Sequence, residues 1–167
     1  MLRLHAAGPR YRFMRQCGKP FSCAHQHKVR QREKMKILLI EDSKLLRVAN
    51  ERVLVKAGYS VIQAGDGEEG LRVARKDIPD LILLDMMLPK VSGLDVLRTL
   101  KGDVLVKHIP VIVLSGLGQG NETKLLKEGA AAFFMKSAKS FENSSSALIQ
   151  AVENVLAQKT NTVATVF

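Results

Sequence analysis

Cysteine is scarce. The chain has two in 167 residues, Cys17 and Cys23, and both lie near the N-terminus. A disulfide-built secreted fold is therefore excluded, and a reducing compartment is expected. No uninterrupted apolar run reaches the roughly 18 residues that a membrane-spanning helix requires. The continuous apolar stretch of a secretory signal is missing as well. Acidic residues are nearly absent from the first 34 positions, which hold nine Lys/Arg against the single Glu33. Of the formal net charge of +10, this segment carries +8 and residues 35–167 only +2. The basic balance thus belongs to a tail and says little about what the folded part binds.

What is present is an ordinary globular composition, 46% hydrophobic and 25% charged, long enough for one sizeable core but not for a second full domain. Residues 1–34 show no sustained apolar period and are expected to be disordered. Three readings compete for them: an arm for nucleic acid or an acidic surface, an organelle-targeting segment with an unusually low serine content (Ser22 alone), or an extension upstream of a true start at Met35. The third is preferred, because a hydrophobic strand begins directly after Met35. From there, apolar runs alternate with helix-period segments. Strands are expected at Ile37–Ile40, Ser60–Ala64, Leu81–Leu84, Val111–Leu114 and Ala131–Met135. Between them, Leu46, Ala49, Val53 and Ala57 mark one helix face that stops at Gly58. Leu71, Ala74 and Ile78 mark a second, opened by Asp66 with Glu69 and closed by Pro79. Ser92 with Asp95 caps a third, with Val96, Leu97 and Leu100 inward. A short fourth runs from about Asn121 to Glu128, before Gly129. Ala147, Leu148, Ala151, Val152, Val155 and Leu156 stripe a last one ending near 157, with a tail at 158–167. Five β-α units in strict alternation imply an α/β fold, a single five-stranded parallel sheet with helices on both faces. Ligands of such folds bind beyond the carboxyl ends of the strands.

Those ends carry Glu41-Asp42, Asp85, Ser115-Gly116 and Met135-Lys136. Singly, such residues are ordinary caps and solvated charges. Together they place three carboxylates, a hydroxyl and an ammonium on one rim. Clustered carboxylates need a cation to stay ionised, and oxygen donors without His or Cys favour Mg²⁺. A carboxylate can also be a nucleophile toward phosphorus.

Residues 35 to about 157 resemble the receiver domain of two-component response regulators, of the stand-alone type found in chemotaxis and sporulation relays. The resemblance rests on Met35–Ser43 (MKILLIEDS), Asp80–Pro89 (DLILLDMMLP), Ser92-Gly93, Pro110–Ser115 (PVIVLS) and Gly129–Lys136 (GAAAFFMK). It implies the flavodoxin-like strand order 2-1-3-4-5. Asp85 would be the phosphoacceptor. Mg²⁺ would be held by Asp42, by Glu41 through a water, by Asp85 and by the backbone carbonyl of Met87. Lys136 would pair with Asp85 and then with the phosphoryl group. Ser115 and Phe133 would form the switch pair, although Phe133 reads equally well as a core residue of the fifth strand. The apolar Met87 and Leu117 would slow loss of the phosphoryl group. The donor would be a sensor histidine kinase or a histidine phosphotransfer domain. The downstream protein target would dock on the face of the fourth helix, fifth strand and fifth helix, and a homodimer is compatible with the same family. The protein would be a cytoplasmic signalling switch rather than an enzyme, with no DNA-binding domain. Two departures stand out: Ser137 where the family usually has Pro, and Gly116 where it often has Ala.

Rival readings are weaker. A haloacid dehalogenase-type phosphatase wants a second Asp two residues after its nucleophile, and Met87 stands there. Nucleic-acid binding by residues 1–34 has basic residues but no recognisable motif around Tyr11, Phe13 and Phe21. Zinc binding by Cys17, Cys23, His25 and His27 has the spacing of no standard finger. A degenerate receiver used only for binding would not need all five site residues.

Overall fold

The computed structural model describes residues 34–116, 122–136 and 141–164, the last stretch with side chains at 145–158. Five strands alternate with five helices: β1 Lys36–Ile40, α1 Lys44–Lys56, β2 Ser60–Ala64, α2 Gly67–Asp77, β3 Leu81–Asp85, α3 Gly93–Gly102, β4 Val111–Ser115, α4 Glu122–Lys127, β5 Ala132–Met135 and α5 Phe141–Ala164. All strand pairs are parallel, in the order β2-β1-β3-β4-β5 that the resemblance implies.

The continuous apolar strands are explained by two cores. Alternate residues point to opposite faces. Leu38, Ile40, Ile82, Leu84, Val111 and Val113 pack with α2, α3 and Leu125 of α4. Ile37, Leu39, Leu81, Leu83, Ile112 and Leu114 pack with Leu54 of α1 and Leu148, Val152, Val155 and Leu156 of α5. At β5 the same alternation sends Phe133 to the first core and Phe134 to the second.

Helix starts follow their caps. Asp66 accepts from the Glu69 amide at 2.8 Å, and the Glu69 carboxylate reaches back one residue further than in a capping box, to the Gly65 amide. Ser92 accepts from the Asp95 amide and donates to the Asp95 carboxylate. Gly58 and Gly129 close α1 and α4 with φ of 97° and 99°.

Three details differ from the sequence pattern. The fully buried residue of α1 is Leu54, while Leu46, Ala49 and Val53 are only partly covered. Ile78 is not a core residue: it is 46% exposed and caps α2 at φ 42°. Pro79 bars the residue before it from the right-handed helical region, so the stripe stops at Ala74. Finally, α5 continues to Ala164, past the expected end at 157. Gln158 to Thr162 contain no Gly or Pro to stop it.

Candidate functional site

Four of the five strand ends deliver side chains to the same rim. β3 is central, so its last residue, Asp85, has β1 on one side and β4 on the other. Glu41 follows β1, anchored by its amide to the Ala64 carbonyl. Ser115 ends β4, beside Met135 in register. Lys136 follows β5, and its amide donates to the Ser115 carbonyl at 2.8 Å. The long lysine side chain then crosses β4. Its Nζ lies 2.7 Å from Asp85 Oδ2 and 2.6 Å from Glu41 Oε2. Glu41, Asp85 and Ser115 are the buried polar residues of the described chain, 1%, 2% and 4% exposed.

Glu41, Asp42 and Asp85 bring their carboxylate oxygens within 4.8 Å of one another. Asp42 is the exposed member. The cluster thus has three carboxylates, of which the one ammonium pairs with two, Glu41 and Asp85. Burial pushes the Glu41 carboxyl up from 4.5 to about 7, against the pull of Lys136, and the nearby Asp85 adds to the rise. The second Glu41 oxygen, Oε1, is buried with no hydrogen-bond partner. An orphaned buried carboxylate oxygen is costly. A hard divalent cation is the partner that an all-oxygen donor set of this charge calls for, so these residues fit Mg²⁺.

The loop after β3 is built around Asp85. Its Oδ1 accepts from the Met87 amide at 3.1 Å, which turns the chain so that Met87 sits 63% exposed at the rim. The Gly93 amide donates to the Met86 carbonyl. A β-carbon at Gly93 would press on the Asp85 carbonyl oxygen and come within 2.6 Å of Met86 Cα. Only glycine lets α3 start this close to the Asp85–Met86 backbone. The Ser92-Gly93 pair was legible as a helix start, but this packing role was not. Its signal was the glycine at the first helical position. Lys90, at φ 67°, closes the loop with an ion pair to Asp66.

A family model, "Response regulator receiver domain", matches residues 37–164. The chain belongs to the response regulator receiver family. The polar-differentiation response regulator DivK of Brucella ovis is 37% identical over 101 residues, spanning 60% of this chain and 82% of that protein. A CheY-like receiver domain protein from Methanospirillum hungatei superposes with a TM-score of 0.68 at 22% identity, over 77% of this chain and 98% of that one, a likeness of fold. The receiver domain of a signal transduction histidine kinase from Syntrophus aciditrophicus gives 0.64 at 30% identity, over 74% and 90%. This receiver is thus a component of two-component, phosphorelay signalling. None of its described helices is long and apolar enough to cross a membrane.

Of the residues singled out from the sequence, Glu41, Asp42, Asp85 and Lys136 converge, with Ser115 at the adjoining strand end. Phe133 lies partly buried against the first core cluster. Leu117, Ser137 and the Cys17, Cys23, His25, His27 group lie outside the described residues, as does nearly all of the basic segment 1–34.

Proposed function

We propose that this receiver takes a phosphoryl group from a phospho-histidine donor onto Asp85 and thereby changes its affinity for a protein partner. The supporting observation is the Asp85 carboxylate: buried on the central strand, ion-paired to Lys136, and beside two further carboxylates at the rim. An Asp85 oxygen attacks phosphorus, the P–N bond to the donor imidazole breaks, and the imidazole leaves with the electron pair. Lys136, already on Asp85, neutralises the charge gathering on the phosphoryl oxygens. Asp42, Asp85, the Met87 carbonyl and, through a water, Glu41 would hold Mg²⁺. When bound, the ion supplies charge neutralisation and a template for in-line transfer.

The new dianionic charge on Asp85 competes for Lys136 and draws the Ser115 hydroxyl. Phe133, in register with Val113 two residues before Ser115, is placed to follow that movement. The readout surface would be the face of α4, β5 and α5, with a downstream protein or a second copy as its partner. The donor is a sensor histidine kinase or a histidine phosphotransfer domain, and the setting is cytoplasmic. The activity is that of a switch. Its own chemistry is limited to accepting the group and losing it by hydrolysis.

Intact mass after incubation with a small-molecule phosphodonor and Mg²⁺ tests the proposal. One added phosphoryl group, absent in Asp85→Asn and in EDTA, is expected. No gain from that donor or from a panel of histidine kinases, with the protein folded, would leave a phosphorylation-independent binding module instead. Met87 and Leu117 being apolar, the acyl phosphate is expected to outlast a timescale of seconds. Decay of the mass peak within seconds at room temperature would refute this.

A further inference from the structure

Arg47 is a half-buried residue of the first turns of α1. It binds three successive carbonyls of the loop that carries two of the acids. Its guanidinium Nη1 donates to the Glu41 carbonyl at 2.6 Å and to the Asp42 carbonyl at 3.3 Å, and its backbone amide donates to the Ser43 carbonyl at 2.8 Å. The same guanidinium lies over the turn after β2, where a β-carbon on Gly65 would be 3.4 Å from Nη1 and 3.7 Å from the Glu69 carboxylate. The Glu69 carboxylate holds the Gly65 amide at 2.8 Å.

We infer that Arg47 is a positioning residue for the metal site, fixing the peptide units from which the Glu41 and Asp42 carboxylates project. The inference rests on the Mg²⁺ reading above. Asp42 stands in a loop, with its side chain exposed, and the strand ladder ends at Ile40. One further bond, from the Glu41 amide to the Ala64 carbonyl, holds the chain past that point, and among the described residues no backbone hydrogen bond from the Asp42 amide follows it. The guanidinium sets the orientation of the Asp42 peptide by tying both carbonyls to α1. The planar guanidinium presents both bonds from one nitrogen in a fixed direction, whereas a lysine ammonium has enough donors but sits on a more flexible stem that holds no such direction. Among the described residues the guanidinium makes no ion pair with the three carboxylates; its side-chain bonds go to the two backbone carbonyls. Arg47 touches no reacting atom and acts through the backbone of its two neighbours.

The test uses the full chain with no phosphodonor. The Mg²⁺ dissociation constant is measured by calorimetry for the wild type, Arg47→Gln, Arg47→Lys and Arg52→Ala. Arg52 is exposed further along the same helix, so its loss removes equal charge without touching the loop. Unfolding midpoints in EDTA are measured alongside. Arg47→Gln is expected to weaken Mg²⁺ binding about tenfold or more, the size of effect typical of groups that orient metal ligands, with Arg47→Lys between it and the wild type and Arg52→Ala within about twofold of wild type. Wild-type affinity in folded Arg47→Gln overturns the inference, whatever happens to its stability, and so does an equal loss in Arg52→Ala. If Arg47→Gln does not fold, Arg47→Lys decides: weaker binding supports the role and unchanged binding overturns it. A wild-type protein that binds no Mg²⁺ overturns the metal-site reading itself, and this inference with it.

Discussion

Glu41 makes the stability of the metal-free receiver depend on pH in a direction opposite to that of most carboxylates. Its carboxyl is 1% exposed, one oxygen is unpartnered, and burial raises it from 4.5 to about 7. In the unfolded chain the same group releases its proton near 4.5. Between these values the folded state holds the extra proton, so unfolding stability falls as pH rises through the window and stays low above it. Below 4.5 both states are protonated and the penalty is absent. The gap between 4.5 and about 7 corresponds to about 3 kcal/mol when fully traversed. Lys136 is already counted in that balance as a lowering influence. Urea unfolding followed by far-UV circular dichroism, in EDTA at about pH 5 and about pH 8, should show a loss on the order of 2–3 kcal/mol that Glu41→Gln removes. Titrating groups away from Glu41 are common to both proteins and cancel in the difference, leaving Glu41 together with its coupled neighbours Lys136 and Asp85. Excess Mg²⁺ should flatten the wild-type curve, because a bound cation favours the charged carboxylate in the folded state. Parallel pH dependence of wild type and Glu41→Gln in EDTA would refute the reasoning.

Removing the cation should be worse than removing an acid. Lys136→Met leaves Glu41 and Asp85 buried without their ammonium and should cost about 3–5 kcal/mol in EDTA above neutral pH, less near pH 5, measured by the same urea titrations. Gly93→Ala forces a β-carbon against the Asp85–Met86 backbone and should cost about 1–3 kcal/mol while slowing phosphoryl uptake by intact mass. Gly102→Ala, where the added carbon meets nothing within 4 Å, should instead be neutral or stabilising by up to about 1 kcal/mol. Ile78→Gly should raise the unfolding midpoint, since the left-handed φ of 42° costs a β-branched residue about 1–2 kcal/mol and the half-exposed side chain returns little burial.

The parts of this molecule legible in its sequence are those set by short-range chemistry. Short apolar runs such as Leu81–Leu84, alternating with helix-period segments, fit strands covered on both faces, and Ser92 or Asp66 before a helical stripe fits a helix cap. Those same runs put Glu41, Asp42, Asp85, Ser115 and Lys136 at or just past the ends of β1, β3, β4 and β5. The strand order was not derivable from periodicity and came from the family resemblance alone. Ile78 shows where period alone misleads: it kept the helical spacing of Leu71 and Ala74, yet the next residue's ring keeps it out of the helix and it stands half-exposed as the cap.

What remained hidden were contacts between residues far apart in the chain, or between a side chain and a backbone atom. Lys136 meets Glu41 across 95 residues, and the pairing leaves one oxygen of the same carboxylate without a partner. The sequence shows three acids and one lysine, and so a charge excess, but not which oxygen bears it. Likewise Arg47 is one of several basic residues on α1, together with Lys44, Arg52 and Lys56. Nothing in its neighbours distinguishes it from a solvated helix charge. Its role follows from the direction of the first helical turn, which brings its guanidinium back over the loop that precedes it. The chemistry of the rim is thus written in residue types at strand ends. Its electrostatic state is written in distances that only the folded chain creates: an unpartnered oxygen at Glu41, an ammonium shared by two acids, and a guanidinium gripping the Glu41 and Asp42 carbonyls.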